Sequence, residues 1–537
     1  MITVPLNLFG SISVKWWKLW LLFFLYTVIS AALVQLFIVY ILPQFNLGHG
    51  LFVPDSTGFH QIAVNVSALI NKKGWSAWEL RPGGQYPAGI ASVFYYIFWP
   101  KPFVLIPFNA ILHATAGILI YYLLETFLEN QKVSLVGSTL FIVNPATLEW
   151  TAQIHKDGTF IVGNLLIITA WIILVKTVKK NQYRLRFILS PLLTILGSVF
   201  IWASRPYWNQ VSITASIILL IPVLIIWIIE IIKEKSFRLN IYLGLVVALV
   251  VIAIQFPFVN MHYSLVKEAE FIRSEHLSSS LGKSQAQLEG VKRQLNSQYI
   301  ENRKSGNDLL ASDQDKPDNP KPNSFKIEEQ GIEEQGEKYE GKTFSEKLIS
   351  DEVVRTGRPE AFIIKWKHNQ FIPDLIESRL YSLSYFRLVT GSQGGKTIID
   401  RDIIFESLND FFRYLPRAAQ IGFLSPFPQY WTGRGSIPVN TIGRLILGFL
   451  TAFSYICFIF FFLSVKHYYQ KLEFWIIIIF NTFGLLVFTY GYPNVGTLNR
   501  MRYGFYMTIV ATGFAFLVSK IMKAINHKKK SQFDTKK

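Results

Sequence analysis

The sequence predicts an all-α polytopic membrane protein with about ten transmembrane helices, and three observations carry that expectation. Of its 537 residues 51% are hydrophobic and 15% aromatic, against 16% charged, too apolar for an ordinary soluble domain of this length. The apolar residues fall in runs long enough to cross a hydrocarbon core about 30 Å thick. The Lys and Arg behind a formal charge of +18 cluster in short segments beside those runs, as the positive-inside rule produces. That clustering accounts for the charge and excludes the nucleic-acid partner that a basic soluble protein would suggest. Cys457 is the single cysteine and sits within an apolar run, which excludes an intrachain disulfide.

Taken in order, Lys15 and Lys18 precede an apolar run over about 20–42 that ends at Pro43. It exceeds the apolar region of a signal peptide and lacks a small-residue cleavage site, so it reads as a retained anchor with a cytosolic N-terminus. Residues 44–87 then lie outside. Tyr86–Trp99 is short for a span and is broken by Pro100-Lys101-Pro102, so a re-entrant or interfacial helix is expected there. Further spans are expected at 103–127, 133–148, 159–178, 187–203, 209–232, 239–259, 441–465, 473–490 and 503–523. This even count puts Lys176, Lys179, Arg186, Lys233, Lys466, Lys471 and the basic tail at Lys528 on the cytosolic side.

Four regions follow. Residues 1–259 form an N-terminal membrane module with functional outer loops at 44–102 and 149–158. Residues 260–345 form a polar outer insertion, nearly free of aromatics beyond 267, in which Ile327–Gly331 repeats directly as Ile332–Gly336. Its early part, about 264–304, reads as helical and 305–345 as disordered. Residues 346–440 regain aromatic periodicity through Trp366, Tyr385, Phe411 and Tyr414, and are expected to pack on the membrane domain as short helices. Residues 441–537 form a C-terminal membrane module with a basic cytosolic tail.

Once sides are assigned, charges in short outer turns become informative. The stretch Phe52–His60 places Asp55, two hydroxyls and His60 just outside the first span. It also reads as a helix start over about 57–71, with Asp55 or Ser56 as cap. Between the third and fourth spans stand Glu149, His155, Lys156 and Asp157. Polar groups at membrane depth are costly and point to function, although Asp157 also suits a helix cap. Arg205 lies between Trp202 and Tyr207 in the next outer turn, suited either to phosphate or to snorkelling toward headgroups. Arg500 and Arg502 occupy the last outer turn, against the positive-inside rule, and the planar guanidinium suits bidentate phosphate contacts.

A carboxylate gathered with several cations outside a multi-span bundle suits sugar transfer from a lipid phosphate. The carboxylate takes the proton of an attacking hydroxyl, and the cations stabilise the departing phosphate. At Asp55, at the acidic second loop (Glu149, Asp157) and at the turn Gly496–Tyr503, the chain resembles the C-type (GT-C) glycosyltransferase superfamily, over mainly residues 15–260 and 440–523. The resemblance implies inverting transfer from a polyprenyl-phosphate or polyprenyl-diphosphate sugar to a glycan, lipid or protein acceptor on the outer face of a plasma or inner membrane. Asp55 would be the base and Asp157 a second catalytic carboxylate. His60, His155, Lys156, Arg205, Arg500 and Arg502 are the candidate substrate and phosphate ligands. Family members often carry an Asp-Glu pair where this chain has His155-Lys156-Asp157. Two carboxylates would favour Mg²⁺ or Mn²⁺ on Asp55, Glu149 and Asp157, whereas Lys156 suits neutralisation without metal. A polymerase or ligase of lipid-linked glycans would share these sites. A flippase or transporter of lipid-linked sugars would instead place charges near the midplane of repeated halves, and no internal repeat of spans is legible. A scaffold using 260–440 as a binding arm would leave the outer cations unexplained. The geometric expectation is that Asp55 lies near Asp157 or Lys156, beside Arg500 or Arg502.

Overall fold

The computed structural model describes residues 16–180, 185–234, 239–259, 364–392, 397–432 and 438–534. In chain order its helices are α1 (Trp16–Tyr40), α2 (Pro54–Lys73), α3 (Tyr86–Ile97), α4 (Ile106–Leu128), α5 (Gln131–Val143), α6 (Leu148–Thr151), α7 (Asp157–Lys180), α8 (Leu185–Ser204) and α9 (Trp208–Glu234). There follow α10 (Leu239–Ala253), α11 (Phe256–Val259), α12 (Asp374–Ser392), α13 (Leu408–Leu424), α14 (Pro438–Tyr468), α15 (Leu472–Gly491), α16 (Val495–Met501) and α17 (Tyr503–Asp534). Among the described residues the one β interaction is an isolated bridge between Ile398 and Asn494. The molecule is an all-α polytopic membrane protein: nine of the described helices are long and apolar enough to cross a bilayer.

The expected span at 133–148 differs from this pattern. Helix α5 has 13 residues, about 20 Å at 1.5 Å per residue and short of a hydrocarbon core. It stops because Pro145 disfavours helical backbone in the residue before it. Asn144 accordingly turns extended, at φ −63° and ψ 121°, and its side chain accepts the Ala146 N–H. The chain nevertheless passes from one end of the bundle to the other here. At the start of α5, Lys471 donates to the Phe127 carbonyl at 2.9 Å and pairs with Glu129 at 2.8 Å. Beyond its end, Asn144 reaches Met507 Sδ of α17 at 3.6 Å.

Helix α7 is the centre of the bundle, with 94% of its spanning window buried against 28% for α1. Its close partner is α8. A Cβ on Gly163 would meet the Gly197 carbonyl at 2.9 Å, and one on Gly197 would meet the Gly163 carbonyl at 2.7 Å. Two glycines thus let the backbones touch, as small residues do between membrane helices.

Helices α2 and α3 form a separate unit at one end of the bundle, sharing a small core of Phe59, Ala63, Ala88, Ala91 and Tyr95 that also takes in Ile154. Helix α3 has 12 residues, consistent with the expectation that this stretch does not cross. Helices α12 and α13 and the segment between them join the main core through Tyr385, Phe386, Phe405 and Phe411. Arg387 of α12 donates to the carbonyls of Thr489 and Tyr490 at the end of α15, at 3.4 and 3.3 Å. The polar insertion expected at 260–345, with its helical and disordered parts, lies outside the described residues.

Candidate functional site

Two loops meet at the end of the bundle that carries α2 and α3, and polar side chains stitch them together. Gln153 donates to the Gly50 carbonyl at 3.1 Å and accepts the Phe52 N–H at 3.0 Å. Ser56 donates its hydroxyl to the Ile154 carbonyl at 3.0 Å. Asn109 of α4 holds the carbonyls of Thr151 and Gln153 at 3.1 and 2.8 Å, and Gln35 of α1 donates to the Ala152 carbonyl. All four are buried. They satisfy loop backbone that would otherwise be stranded away from water.

This framework fixes Asp55. The residue is not the cap of its helix: Val53 holds that position without a side-chain bond, and Asp55 lies in the first turn behind Pro54. Its side chain keeps 49% of its surface in solvent. One carboxylate oxygen accepts from Arg500 Nη1 at 2.9 Å. The same Nη1 lies 3.3 Å from His155 Nε2, and His155 Nδ1 lies 2.8 Å from Asp157 Oδ2. Arg205 closes the inner side on the other oxygen of Asp157, and Arg500 Nε stands 3.7 Å from Oδ2. The fold therefore brings Asp55, Arg500, His155, Asp157 and Arg205 into one continuous chain of polar contacts, graded from half-exposed to fully buried.

The electrostatics follow from this crowding. Partial burial pushes the Asp55 carboxyl up, but Arg500, His155 and Lys156 outweigh it and hold it below the ordinary carboxylate range. Half-buried Glu149 behaves oppositely. Burial raises it, Arg500 and His155 pull it down, Asp157 and Asp55 push it up again, and it ends above its usual value. Burial works against the Arg500 cation, yet Asp157, Asp55 and Glu149 reverse that and raise its pKa. Lys156 and Glu149 thus belong to the cluster through the field they exert.

Two expected members stand apart. His60 binds Tyr95 of α3 through Nδ1 at 2.7 Å and packs beside His49, with ring centroids 5.0 Å apart. No contact among the described residues joins it to Asp55. Arg502 is fully buried and reaches carbonyls at the end of α13: Ile421 at 2.8 Å, together with Gly422 and Ser425. It holds a helix terminus, where cations are favoured. Arg205 does not snorkel. It is 1% exposed and lies over Phe160 at 4.5 Å.

The donor set does not fit the dication that Asp55, Glu149 and Asp157 would share if the chemistry were metal-dependent. Both Asp157 oxygens already face nitrogen partners, Arg205 Nη2 on Oδ1 and His155 Nδ1 on Oδ2. Among the described residues these three carboxylates do not converge as a ligand set. Guanidinium and imidazole occupy the positions a metal would need.

Sequence reasoning missed a second polar clamp. Asp400 pairs with Arg417 at 2.9 Å and accepts from Tyr414 at 2.9 Å, and its carbonyl accepts from Arg387 at 3.0 Å. Thr397 and Ile399 exchange backbone bonds with Val495 and Pro493 at 3.0 and 2.9 Å, pinning the turn that presents Arg500. The one local signal is the positive φ of Asp400, 52°, which sequence does not display.

Fold and site together define a multi-pass integral membrane protein with a charged cluster at one end of its helical bundle. No protein-family model, curated protein or solved structure matches the chain.

Proposed function

We propose that the protein is a membrane glycosyltransferase that moves a sugar from a polyprenyl-phosphate or polyprenyl-diphosphate donor to an acceptor hydroxyl on the outer membrane face. The observation that carries this reading is the Arg500 guanidinium, which joins half-exposed Asp55 to the buried His155–Asp157 pair. In the proposed step, the donor phosphate draws on Arg500 and Lys156, and Asp55 accepts the acceptor's proton. The acceptor oxygen forms its bond to the anomeric carbon as the sugar–phosphate bond breaks, with inversion. The phosphate leaves with its charge stabilised by Arg500. Asp157 and Arg205 are positioning residues, buried behind the cation rather than beside the sugar. The apolar flanks of the spanning helices would take the polyprenyl tail.

The outer side is assigned from charge. The opposite end of the bundle carries Lys18, Lys179, Lys466, Lys520 and Lys523, as a cytosolic face does. The test uses purified protein in lipid vesicles with polyprenyl-phosphate sugars and a mixed acceptor pool. Transfer of the sugar supports the proposal. Movement of the intact lipid-linked sugar across the vesicle without transfer would replace it with a flippase.

A further inference from the structure

We propose that Thr397 and Asn494 are positioning residues for Arg500, and that the loop between α12 and α13 is thereby a working part of the charged site. The inference rests on reading Arg500 as the cation of the transfer step. Arg500 stands near the end of α16, a helix of 7 residues, and residues 397–399 hold the start of that helix. The Thr397 carbonyl accepts the Val495 N–H at 3.0 Å, and the Ile399 N–H donates to the Pro493 carbonyl at 2.9 Å. Between those two bonds Ile398 and Asn494 form the isolated bridge.

Asn494 is the joint between loop and helix. Its side-chain oxygen accepts the Gly496 and Thr497 N–H groups at 3.0 and 3.4 Å, which caps α16, and the Thr397 hydroxyl donates to the same oxygen at 2.9 Å. One amide therefore fixes both the start of the helix and its attachment. The far side of the attachment is anchored in turn. Asp400 lies in the left-handed region, with its carboxylate held by Arg417 and Tyr414 and its carbonyl by Arg387. Arg387 also holds the carbonyls of Thr489 and Tyr490, just before the chain reaches Pro493. A helix of this length is marginal on its own. Its buried face of Val495, Leu498 and Met501 sets its depth, and the ties at its start set its direction. Asp55 senses that direction. Burial pushes the Asp55 carboxyl up, and of the groups that pull it down Arg500 acts most strongly, ahead of His155 and Lys156.

Thr397 and Asn494 are both half-buried, so Thr397→Val and Asn494→Ala leave the core intact. The full chain in detergent would be labelled across a pH series with a diazo reagent that esterifies protonated carboxyls, and the Asp55 peptide quantified by mass spectrometry. The midpoint of labelling reports protonation, while its plateau reports access. Folded protein is isolated by size exclusion, and sugar transfer is measured on the same samples. The midpoint should rise by ~0.5 pH unit or more in Asn494→Ala, a part of the ~1–3 units that an adjacent cation supplies. It should rise less in Thr397→Val and keep the wild-type value in Thr397→Ser, which retains the hydroxyl. Transfer should fall ~10-fold or more in Asn494→Ala, because small misplacements near the reacting groups are costly. An unchanged midpoint in Asn494→Ala would overturn the proposal and leave the transfer reading in place. A raised midpoint, with no sugar transfer by wild type, would keep the positioning role and remove the glycosyltransferase reading.

Discussion

Arg500 and Arg502 are separated by one residue, yet the first reaches Asp55 and the second reaches the carbonyls that end α13. Their variants should therefore separate activity from stability. Arg502→Ala strands buried carbonyls and should cost ~2 kcal/mol or more, the worth of a hydrogen bond to a charged group, read as a lower melting temperature in detergent. Arg500→Ala also removes the cation that balances Asp55 and Asp157 and should lower that temperature too, but it alone should lower the proposed transfer at matched folded protein, by ~10²–10³-fold. Asp55 adds a pH dependence. A carboxyl held below its ordinary value contributes stability above its unfolded pKa and loses it as pH falls through the lower folded value. The rate should accordingly hold down to the ordinary carboxylate range and fall only below it. Because Arg500 is the largest cause that lowers Asp55, Arg500→Lys should move the acidic limb of the pH–rate profile upward. Asp55, His155 and Asp157 were legible as candidate residues because polar side chains in short turns between apolar runs are conspicuous. Which arginine would join them was not. Both occupy one turn, and the partner of Arg502 lies some 80 positions earlier in the chain.

Helices α2 and α7 present their acidic first turns to one another because two loops are sewn together by amides and a hydroxyl. Gln153 is the central stitch, since it is 1% exposed and bonds both Gly50 and Phe52. Gln153→Leu leaves that buried backbone without partners and should destabilise by ~1–3 kcal/mol. The same variant should lower the proposed rate with every charged side chain still present. Thermal unfolding and turnover on one preparation would check both. At this scale the sequence foretold the long helices well, because a bilayer imposes length and apolarity on whatever crosses it. It overran at Pro145, where a continuous apolar run masked a proline that ends α5 after 13 residues. It also misjudged the start of α2, placing the cap on a polar residue when Val53 holds it. The stitching residues gave no periodic signal, since single polar side chains in loops look alike until the loops meet.

The whole molecule is a bundle whose basic end and charged-site end are opposed, and its sidedness can be measured. Gly58 is exposed, and a Cβ there would meet nothing within 4 Å, while Gln470 is exposed at the basic end. The native Cys457 is buried and silent. Gly58→Cys should react with an impermeant maleimide on intact cells, and Gln470→Cys only after permeabilisation. The reverse pattern would put the cluster on the cytosolic face. Bundle, alternation and basic end were readable because solvent polarity writes them into composition. The pairing of residues 397–399 with 493–495, and the grip of Arg387 on α15, were not, because they depend on contacts about 100 residues apart. The central claim is that Asp55 is the base for sugar transfer. Its most direct test is sugar release from polyprenyl-phosphate donors by wild type and by Asp55→Asn at matched folded protein. The account predicts transfer by wild type and a loss of ~10²–10⁴-fold in the variant. Equal turnover by the two proteins would contradict it.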